Sequence, residues 1–357
     1  MKATRKLHDL GQSLWLDNIT RGLLTRGTLG RYIDELSVTG LTSNPTIFDN
    51  AVKTTGQYDD AIRRKAQEGK SGEDLFFELA LEDLTNAADL FRHVHDATAG
   101  VDGFVSLEVS PLLANDTAGT ITQTTELHGR ANRPNLFIKI PGTREGIGAI
   151  EESIFRGVPI NVTLLFSREQ YVAAAEAYMR GIERRIATGR SPKVASVASL
   201  FVSRWDKAVT GKGPQEIQNR LGIAVARRTY RAYRDLLASP RWRKLSRAGA
   251  QMQRLLWAST GTKDPNASDV LYVEALAAPD TINTMPAETL LAFADHGKVE
   301  SVLPLDGGDA EEMLARFTKT GVDIAALAAQ LQVEGAAAFA KSWSEMLASI
   351  ESKAQGA

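Results

Sequence analysis

Short runs of almost entirely apolar residues alternate along the chain with longer stretches whose apolar positions have helical spacing. Runs of this kind, bounded by turn residues, suit strands that are covered on both faces, as in a parallel sheet. The predicted strands are residues 13–17, 38–45, 103–109, 135–141, 158–165, 194–201, 255–259 and 280–286. The predicted helices are 27–36, 46–98, 114–131, 148–155, the segment after Ser167, 215–250, 310–331 and 334–354.

About eight short strands separated by helices match the (β/α)8 or TIM barrel, an α/β fold with helices around a parallel barrel. That fold usually takes about 250 residues. We therefore predict a single domain over residues 1–357 with additional helices. The excess is assigned to helical insertions at about 46–98 and 205–252 and to a C-terminal helix at about 334–354. A doubly wound open sheet is the alternative, but no G-x-G-x-x-G follows the first strand.

Polar side chains lie at or near the carboxyl ends of seven of these strands. In a barrel those ends converge on the face that carries the active site. Taken singly, Asp17 and Ser199 could be helix N-caps and Asn44 could be a turn residue. Their shared location on so many strands favours a site instead. The residues are Asp17, Asn44, Glu108, Lys139, Asn161 with Thr163, Ser199 and Ser259.

Lys139 interrupts the apolar run 135–141 at a position where a buried side chain is expected. Removing an ammonium group from water costs several kcal/mol unless it is paired or deprotonated. Burial therefore lowers the pKa of a lysine, and a neutral amine is a nucleophile towards carbonyl groups. From this run alone, a strand-end lysine that reaches water or pairs with a carboxylate is the more ordinary alternative.

Composition narrows the classes of function. Lys and Arg number 42 and Asp and Glu 43, a balance that argues against nucleic acid or an anionic membrane surface as the main partner. Because there is no cysteine, disulfides, iron–sulfur clusters, cysteine–zinc sites and thiol catalysis are excluded. His93 and His95 do not share a helix face, so no metal site is expected. With no signal-peptide pattern and no long apolar run, we expect a cytoplasmic protein with no membrane span.

The residue types at the strand ends indicate a chemistry. A lysine accompanied by two carboxylates, amides and hydroxyls suits covalent catalysis through a Schiff base. An imine on Lys139 would accept the electrons released when the C–C bond of a hydroxyketone is cleaved. One carboxylate would remove the proton of the alcohol, and the other would manage the water lost and regained. Arg204 and Lys263, near the same face, would hold a phosphate group.

Four segments resemble sequence motifs of transaldolase, the class I aldolase-type enzyme of the pentose phosphate pathway. Residues 42–46 (TSNPT) resemble its T-[ST]-N-P-[ST] signature, and residues 137–141 (FIKIP) resemble its Schiff-base lysine strand. Residues 161–167 (NVTLLFS) are similar to its N-x-T-L-x-F-S motif, and residues 199–204 (SLFVSR) to its S-x-F-V-x-R segment. The four occur in the family's order and cover nearly the whole predicted barrel.

The resemblance implies a role for each residue. Lys139 would form the imine with the ketose C2, Asp17 would exchange the C4-hydroxyl proton, and Glu108 with Thr163 would activate water. The dihydroxyacetone moiety would be bound by Asn44, Asn161 and Ser199, and the sugar phosphate by Arg204 and Ser259. Thr42, Phe201 and Lys263 are also expected to contact the substrate. The implied partners are ketose and aldose phosphates, no cofactor is needed, and the protein would be a monomer or homodimer.

The sequence departs from the family at one position, and two rival functions stay open. Many members have an arginine two residues after the serine equivalent to Ser259, whereas this chain has Gly261, so Lys263 is expected to supply the charge. Fructose-6-phosphate aldolases share the fold and the lysine, but they are shorter and have a glutamine resembling the position of Glu108. A non-catalytic barrel that binds sugar phosphates is the second rival.

Overall fold

Eight parallel strands close into a barrel in a computed structural model that describes residues 1–356. Each strand pairs with its neighbours in sequence, and the first strand also pairs with the last. The prediction of a (β/α)8 barrel is therefore confirmed, and the open-sheet alternative is wrong. The strands are β1 (Ser13–Asp17), β2 (Val38–Thr42), β3 (Val105–Glu108), β4 (Leu136–Pro141), β5 (Ile160–Leu165), β6 (Ser196–Phe201), β7 (Arg254–Ala258) and β8 (Thr281–Met285).

Helices surround this barrel, and the two predicted insertions are helical. The first insertion consists of α4 to α7 and the second of α11 to α13. The helices are α1 (Ala3–Asp9), α2 (Arg21–Thr25), α3 (Thr28–Leu36), α4 (Pro45–Thr55), α5 (Asp59–Gln67), α6 (Gly72–Leu90), α7 (Arg92–Ala97), α8 (Thr117–Ala131), α9 (Arg144–Arg156), α10 (Arg168–Ala187), α11 (Ser203–Ala208), α12 (Leu221–Ala238), α13 (Pro240–Arg247), α14 (Leu271–Ala275), α15 (Ala287–His296), α16 (Ala310–Lys319) and α17 (Ile324–Ala354). Among residues 1–356, no helix has both the length and the apolar character that a membrane crossing requires.

Side-chain caps start several helices directly after a strand. The Ser167 hydroxyl accepts a hydrogen bond from the backbone N–H of Gln170 (3.1 Å), as the sequence predicted for α10. Asn44 caps α4 through the N–H of Ile47 (3.1 Å), and the proline at the first helical position favours the start of the helix. Because of this cap, β2 ends at Thr42 rather than continuing to residue 45.

Two of the differences from the predicted helix boundaries have a clear local cause. α9 begins at Arg144 rather than 148, because Thr143 caps it through the N–H of Gly146 (3.1 Å). The last two helices were expected to be separated near residues 332–333, but α17 is continuous from Ile324 to Ala354. The break lies earlier, where Gly321 has a φ of +88° and Asp323 caps α17 through the N–H of Ala326 (3.0 Å).

Aromatic side chains fill the amino-terminal end of the barrel. The rings of Phe104 and Phe137 stack with their centroids 4.1 Å apart, and Trp15 lies beside Phe137. The Trp15 Nε1–H donates to Asp102 (2.8 Å). Gly40 faces this layer, and a Cβ there would lie 2.5 Å from the Trp15 ring. The core therefore closes one end of the barrel, and the polar strand ends lie at the other.

The last helix, α17, lies across that other end. Gln332 of α17 donates from Nε2 to the carbonyl oxygens of Gly142 (3.0 Å) and Leu164 (2.9 Å), which follow β4 and lie at the end of β5. Gly335 sits one turn further on, where a Cβ would lie 2.9 Å from the Leu164 side chain and 3.0 Å from that of Arg204. Glycine at this position therefore lets the helix approach the barrel closely.

Candidate active site

One polar cavity opens at the carboxyl ends of the strands, beneath α17. Ten of the twelve site residues predicted from the sequence line it. The other two, Glu108 and Asn161, are buried and contact the lining residues Lys139 and Ser199. The lining residues are Asp17, Thr42, Asn44, Lys139, Thr163, Ser199, Phe201, Arg204, Ala258, Ser259, Gly261, Lys263, Thr284, Pro286 and Phe339.

The lysine of β4 is paired with the carboxylate of β3. Lys139 and Glu108 are register partners on adjacent strands, and Lys139 Nζ lies 3.1 Å from Glu108 Oε2. Both side chains are at most 5% exposed. The same nitrogen donates to the main-chain carbonyl of Ser43 (3.0 Å), the residue directly after β2. Burial raises the pKa of Glu108 above its usual range, although the charge of Lys139 opposes this.

Polar atoms around the lysine are available to a ligand. The ion pair is close but poorly aligned as a hydrogen bond, so both carboxylate oxygens of Glu108 lack a hydrogen-bond partner within residues 1–356. The buried hydroxyl of Thr163 on β5 also has no partner in the part of the chain that the structure describes. Because orphaned buried polar atoms are costly, this arrangement indicates a place built for a bound polar group.

A second carboxylate lies at the end of β1. Asp17 Oδ1 accepts a hydrogen bond from Thr42 Oγ1 (2.7 Å), which in turn lies 2.6 Å from Thr284 Oγ1. Burial raises the pKa of Asp17, whereas the charge of Lys139 and the Thr42 hydrogen bond lower it. The single proton of Thr42 is therefore used within the protein, and this hydroxyl supports Asp17 rather than donating to a substrate.

The amide side chains of the site are also engaged with the protein. Asn44 uses its Oδ1 to cap α4, which leaves its NH2 group for the cavity, so the structural and the functional interpretation of this residue both apply. Ser199 donates to Asn161 Oδ1 (2.7 Å), and Asn161 Nδ2 donates to Ser106 Oγ (3.1 Å). Ser199 therefore presents lone pairs to the cavity, while Asn161 orients it from below.

Two cations lie at the outer end of the cavity. The guanidinium carbon of Arg204 is 4.9 Å from the centroid of the Phe201 ring and 5.6 Å from that of Phe339. Burial lowers the pKa of Arg204, but an arginine remains charged. Within residues 1–356, neither Arg204 nor Lys263 forms a hydrogen bond or ion pair with another side chain. Their N–H donors are therefore free for an anion.

The loop after β7 brings Lys263 to this position. Ser259 has a φ of +55°, and its hydroxyl lies 2.9 Å from that of Ser203. A Cβ at Gly261 would lie 3.6 Å from Lys263 Nζ, so the lysine ammonium occupies the space beside the position from which a side chain at 261 would extend. Gly261 has no side chain, and Lys263 places a positive charge beside it.

Comparison with known proteins identifies the family. The model of the transaldolase/fructose-6-phosphate aldolase family matches residues 14–350. The chain belongs to this family. It is 43% identical to a transaldolase of Thiobacillus denitrificans over 98% of this chain and 100% of that protein. It is 42% identical to a transaldolase of Parafrankia sp. over 97% of each chain, and 38% identical to transaldolase 2 of Nostoc punctiforme over 98% and 96%.

Two residues of this transaldolase-family site were missed by the sequence analysis. Thr284 lies at the carboxyl end of β8, so the rule that selected polar strand ends on the other seven strands would have found it. Phe339 comes from α17, far from the barrel motifs in sequence. No local pattern distinguishes this phenylalanine from one that packs in a core, because its role depends on where the helix crosses the barrel.

Proposed function

We propose that this chain catalyses the transaldolase reaction. It transfers a dihydroxyacetone unit from sedoheptulose 7-phosphate or fructose 6-phosphate to glyceraldehyde 3-phosphate or erythrose 4-phosphate. The observation that carries the proposal is the buried Lys139, whose Nζ lies 3.1 Å from Glu108 beneath a cavity that Asp17 also lines. An amine, a base for water and a base for an alcohol are the three groups that this chemistry requires.

The first step forms the imine. The neutral amine of Lys139 attacks the ketose C2, and the resulting carbinolamine loses water. Glu108 takes the proton that makes the Lys139 amine neutral and gives it to the departing hydroxyl, and in the hydrolysis of the imine it takes a proton from the attacking water. Thr163 holds this water with it, because their oxygen atoms are buried close to the amine and available for hydrogen bonds. The raised pKa of Glu108 suits a group that must both give and take a proton.

The second step breaks the C3–C4 bond. Asp17 takes the proton of the C4 hydroxyl, the aldose leaves, and the bonding electrons move into the imine to form an enamine on Lys139. The enamine then attacks the aldehyde carbon of the acceptor, and Asp17 returns the proton to the new hydroxyl. Hydrolysis of the imine, through water held by Glu108, releases the product ketose.

The remaining residues hold the substrate. Asn44 offers its NH2 group to the dihydroxyacetone hydroxyls, and Ser199, oriented by Asn161, offers lone pairs. Arg204 forms a bidentate contact with the phosphate, with Ser259 and the point charge of Lys263 beside it. Phe201 and the methylene groups of Arg204 and Lys263 line the wall between the lysine and the phosphate end of the cavity.

Two rivals are less consistent with the site. The transaldolases of Parafrankia sp. and Thiobacillus denitrificans match this chain over 97% and 100% of their own length. Residue 108 is a glutamate, whereas fructose-6-phosphate aldolases have a glutamine that resembles this position. A non-catalytic barrel would have no reason to keep a buried amine and two carboxylates, each of which is costly to bury. A cytoplasmic location, independence of any cofactor, and a monomeric or homodimeric state remain predictions.

Trapping with borohydride tests the function. Incubation with fructose 6-phosphate and borohydride is expected to give a substrate-dependent adduct on Lys139, mapped by peptide mass spectrometry. Lys139→Met should abolish it, whereas Lys65→Met, which removes a lysine outside the cavity, should not. No adduct, or one on another lysine, would contradict the mechanism.

The Asp17→Ala variant distinguishes the role of Asp17 from that of Glu108. Asp17→Ala is expected to keep adduct formation and to lose most turnover, measured as erythrose 4-phosphate consumption, because it lacks only the base for the alcohol. Loss of the adduct in this variant would contradict the role given to Asp17. Release of free dihydroxyacetone by the wild-type protein without acceptor consumption would favour simple aldol cleavage.

A further inference from the structure

A chain of two hydroxyls leads from β8 to the carboxylate of β1. Thr284 Oγ1 lies 2.6 Å from Thr42 Oγ1, which lies 2.7 Å from Asp17 Oδ1. Thr284 and Thr42 are 3% and 2% exposed, so water competes little for these hydroxyls. The strand order places β1 between β8 and β2, so one hydroxyl reaches this chain from each side of the strand that carries Asp17.

The number of protons fixes the direction of the chain. An ionised carboxylate only accepts, and each threonine hydroxyl has one proton to donate. Thr42 therefore gives its proton to Asp17, and Thr284 must give its proton to Thr42. Both O–H dipoles then point towards the carboxylate, and hydrogen bonds aligned in series strengthen one another.

Main-chain contacts hold Thr284 in place. Its carbonyl oxygen accepts a hydrogen bond from Thr260 Oγ1 (3.0 Å), and the same hydroxyl lies 2.8 Å from Asn283 Oδ1. Thr284 is also the register partner of Trp15 on β1. With its backbone fixed on both sides, Thr284 can keep its hydroxyl directed at Thr42.

We propose that Thr284 is a positioning residue for Asp17. Through Thr42 it fixes the orientation of the carboxylate and favours its ionised form, the state that removes the C4-hydroxyl proton. Because Asp17 is the proposed base, this inference rests on the proposed function. Thr284 itself lies at the cavity wall, but it acts through Thr42 and not on the reacting atoms.

Charged groups on other elements also act on Asp17. Burial raises the pKa of Asp17, and the charges of Lys139 on β4 and of Arg204 and Lys263 after β6 and β7 oppose this rise, while Glu108 on β3 interacts with it as a like charge. All four remain in a variant that changes only position 284. A change in the titration of Asp17 in such a variant therefore reports on the hydroxyl chain.

Thr284→Val, which keeps the shape of the side chain and removes the hydroxyl, tests the proposal. The expected kcat for fructose 6-phosphate and erythrose 4-phosphate falls about two- to tenfold, the amount that one buried hydrogen bond contributes. The acidic limb of the kcat/KM–pH profile moves to higher pH, because the charged form of Asp17 loses support. Thr284→Ser, which retains the hydroxyl, is expected to restore both quantities.

Controls separate this inference from folding and from the function itself. Thr39→Val removes a buried threonine hydroxyl at the far end of β2 and should leave the pH profile unchanged. If Thr284→Val does not fold, Thr284→Ala carries the same expectation. An unmoved acidic limb, or a Thr284→Ser variant that behaves like Thr284→Val, would overturn the proposal. A wild-type protein that forms no Lys139 adduct would instead refute the proposed function.

Discussion

Replacement of Phe339 by leucine tests how α17 contributes to substrate binding. Arg204 has no hydrogen-bond partner of its own within residues 1–356, and its guanidinium lies between two aromatic rings, 5.6 Å from the centroid of Phe339 and 4.9 Å from that of Phe201. Stacking against these rings therefore sets the direction of its donors. Leucine fills most of the volume but has no π-face for the cation.

The expected magnitude follows from the strength of this contact. A cation–π interaction contributes about 0.5–1 kcal/mol at exposed sites and about 2 kcal/mol when desolvated. The Arg204 site is intermediate, so we expect a loss of about 1 kcal/mol in phosphate binding, or about fivefold in affinity. The chemistry at Lys139 should change less, because Phe339 lies 6.0 Å from its ammonium group and makes no hydrogen bond to it.

Donors with and without a phosphate separate these two effects. We expect kcat/KM for fructose 6-phosphate to fall about fivefold in Phe339→Leu, while that for unphosphorylated fructose stays close to its wild-type value. Phe339→Tyr, which keeps a ring, should preserve both. Phe317→Leu, on the buried face of α16, controls for general loosening of the C-terminal helices. Equal losses for the two donors would refute the role assigned to Phe339.

Three further predictions concern Lys263 at the phosphate end of the cavity, Glu108 as the group that handles water, and the contribution of Asp206 to stability. Lys263→Met should raise the KM for fructose 6-phosphate about tenfold or more, because it removes a charged hydrogen bond to the phosphate. Lys298→Met, which changes an exposed lysine, should leave this KM unchanged. Equal KM values for the two variants would contradict the role of Lys263. Glu108→Gln should slow borohydride trapping about a hundredfold, and unchanged trapping would contradict its role. Burial raises the pKa of Asp206 to about 6 from an unfolded value near 3.9. Below about pH 4, Asp206 therefore adds about 3 kcal/mol to the free energy of unfolding. This contribution is lost as the pH rises through about 6. Urea titrations should show this loss in the wild type and not in Asp206→Asn; parallel pH profiles would contradict it.

The sequence predicted the barrel and most of the cavity because both depend on local patterns. A strand buried on two faces is a short apolar run, and a functional side chain at its end interrupts that run, as Lys139 does. Because parallel strands all point the same way, the residues found in this manner had to meet at one end of the barrel. Eight residues were selected by this rule, and six of them line the cavity: Asp17, Asn44, Lys139, Thr163, Ser199 and Ser259.

What could not be predicted depends on contacts distant in sequence. The start of α17 is fixed by Asp323, but the surrounding residues favour a helix on both sides of residues 332–333, and no local signal there distinguishes a break from a continuous helix. The position of Phe339 follows from the path of that helix. Likewise, Asn161 was expected at the substrate, but the strand register places it lower in the barrel, where it accepts a hydrogen bond from Ser199.

The close approach of α17 at Gly335 means that strands and a helix supply different parts of the cavity. The groups proposed for bond making and breaking, Lys139, Glu108 and Asp17, all belong to strands, whereas the roof over the phosphate end is supplied by a single terminal helix. We therefore expect changes on the face of this helix that meets the cavity, with Gly335 retained, to alter substrate preference without altering the strands that carry the proposed reaction.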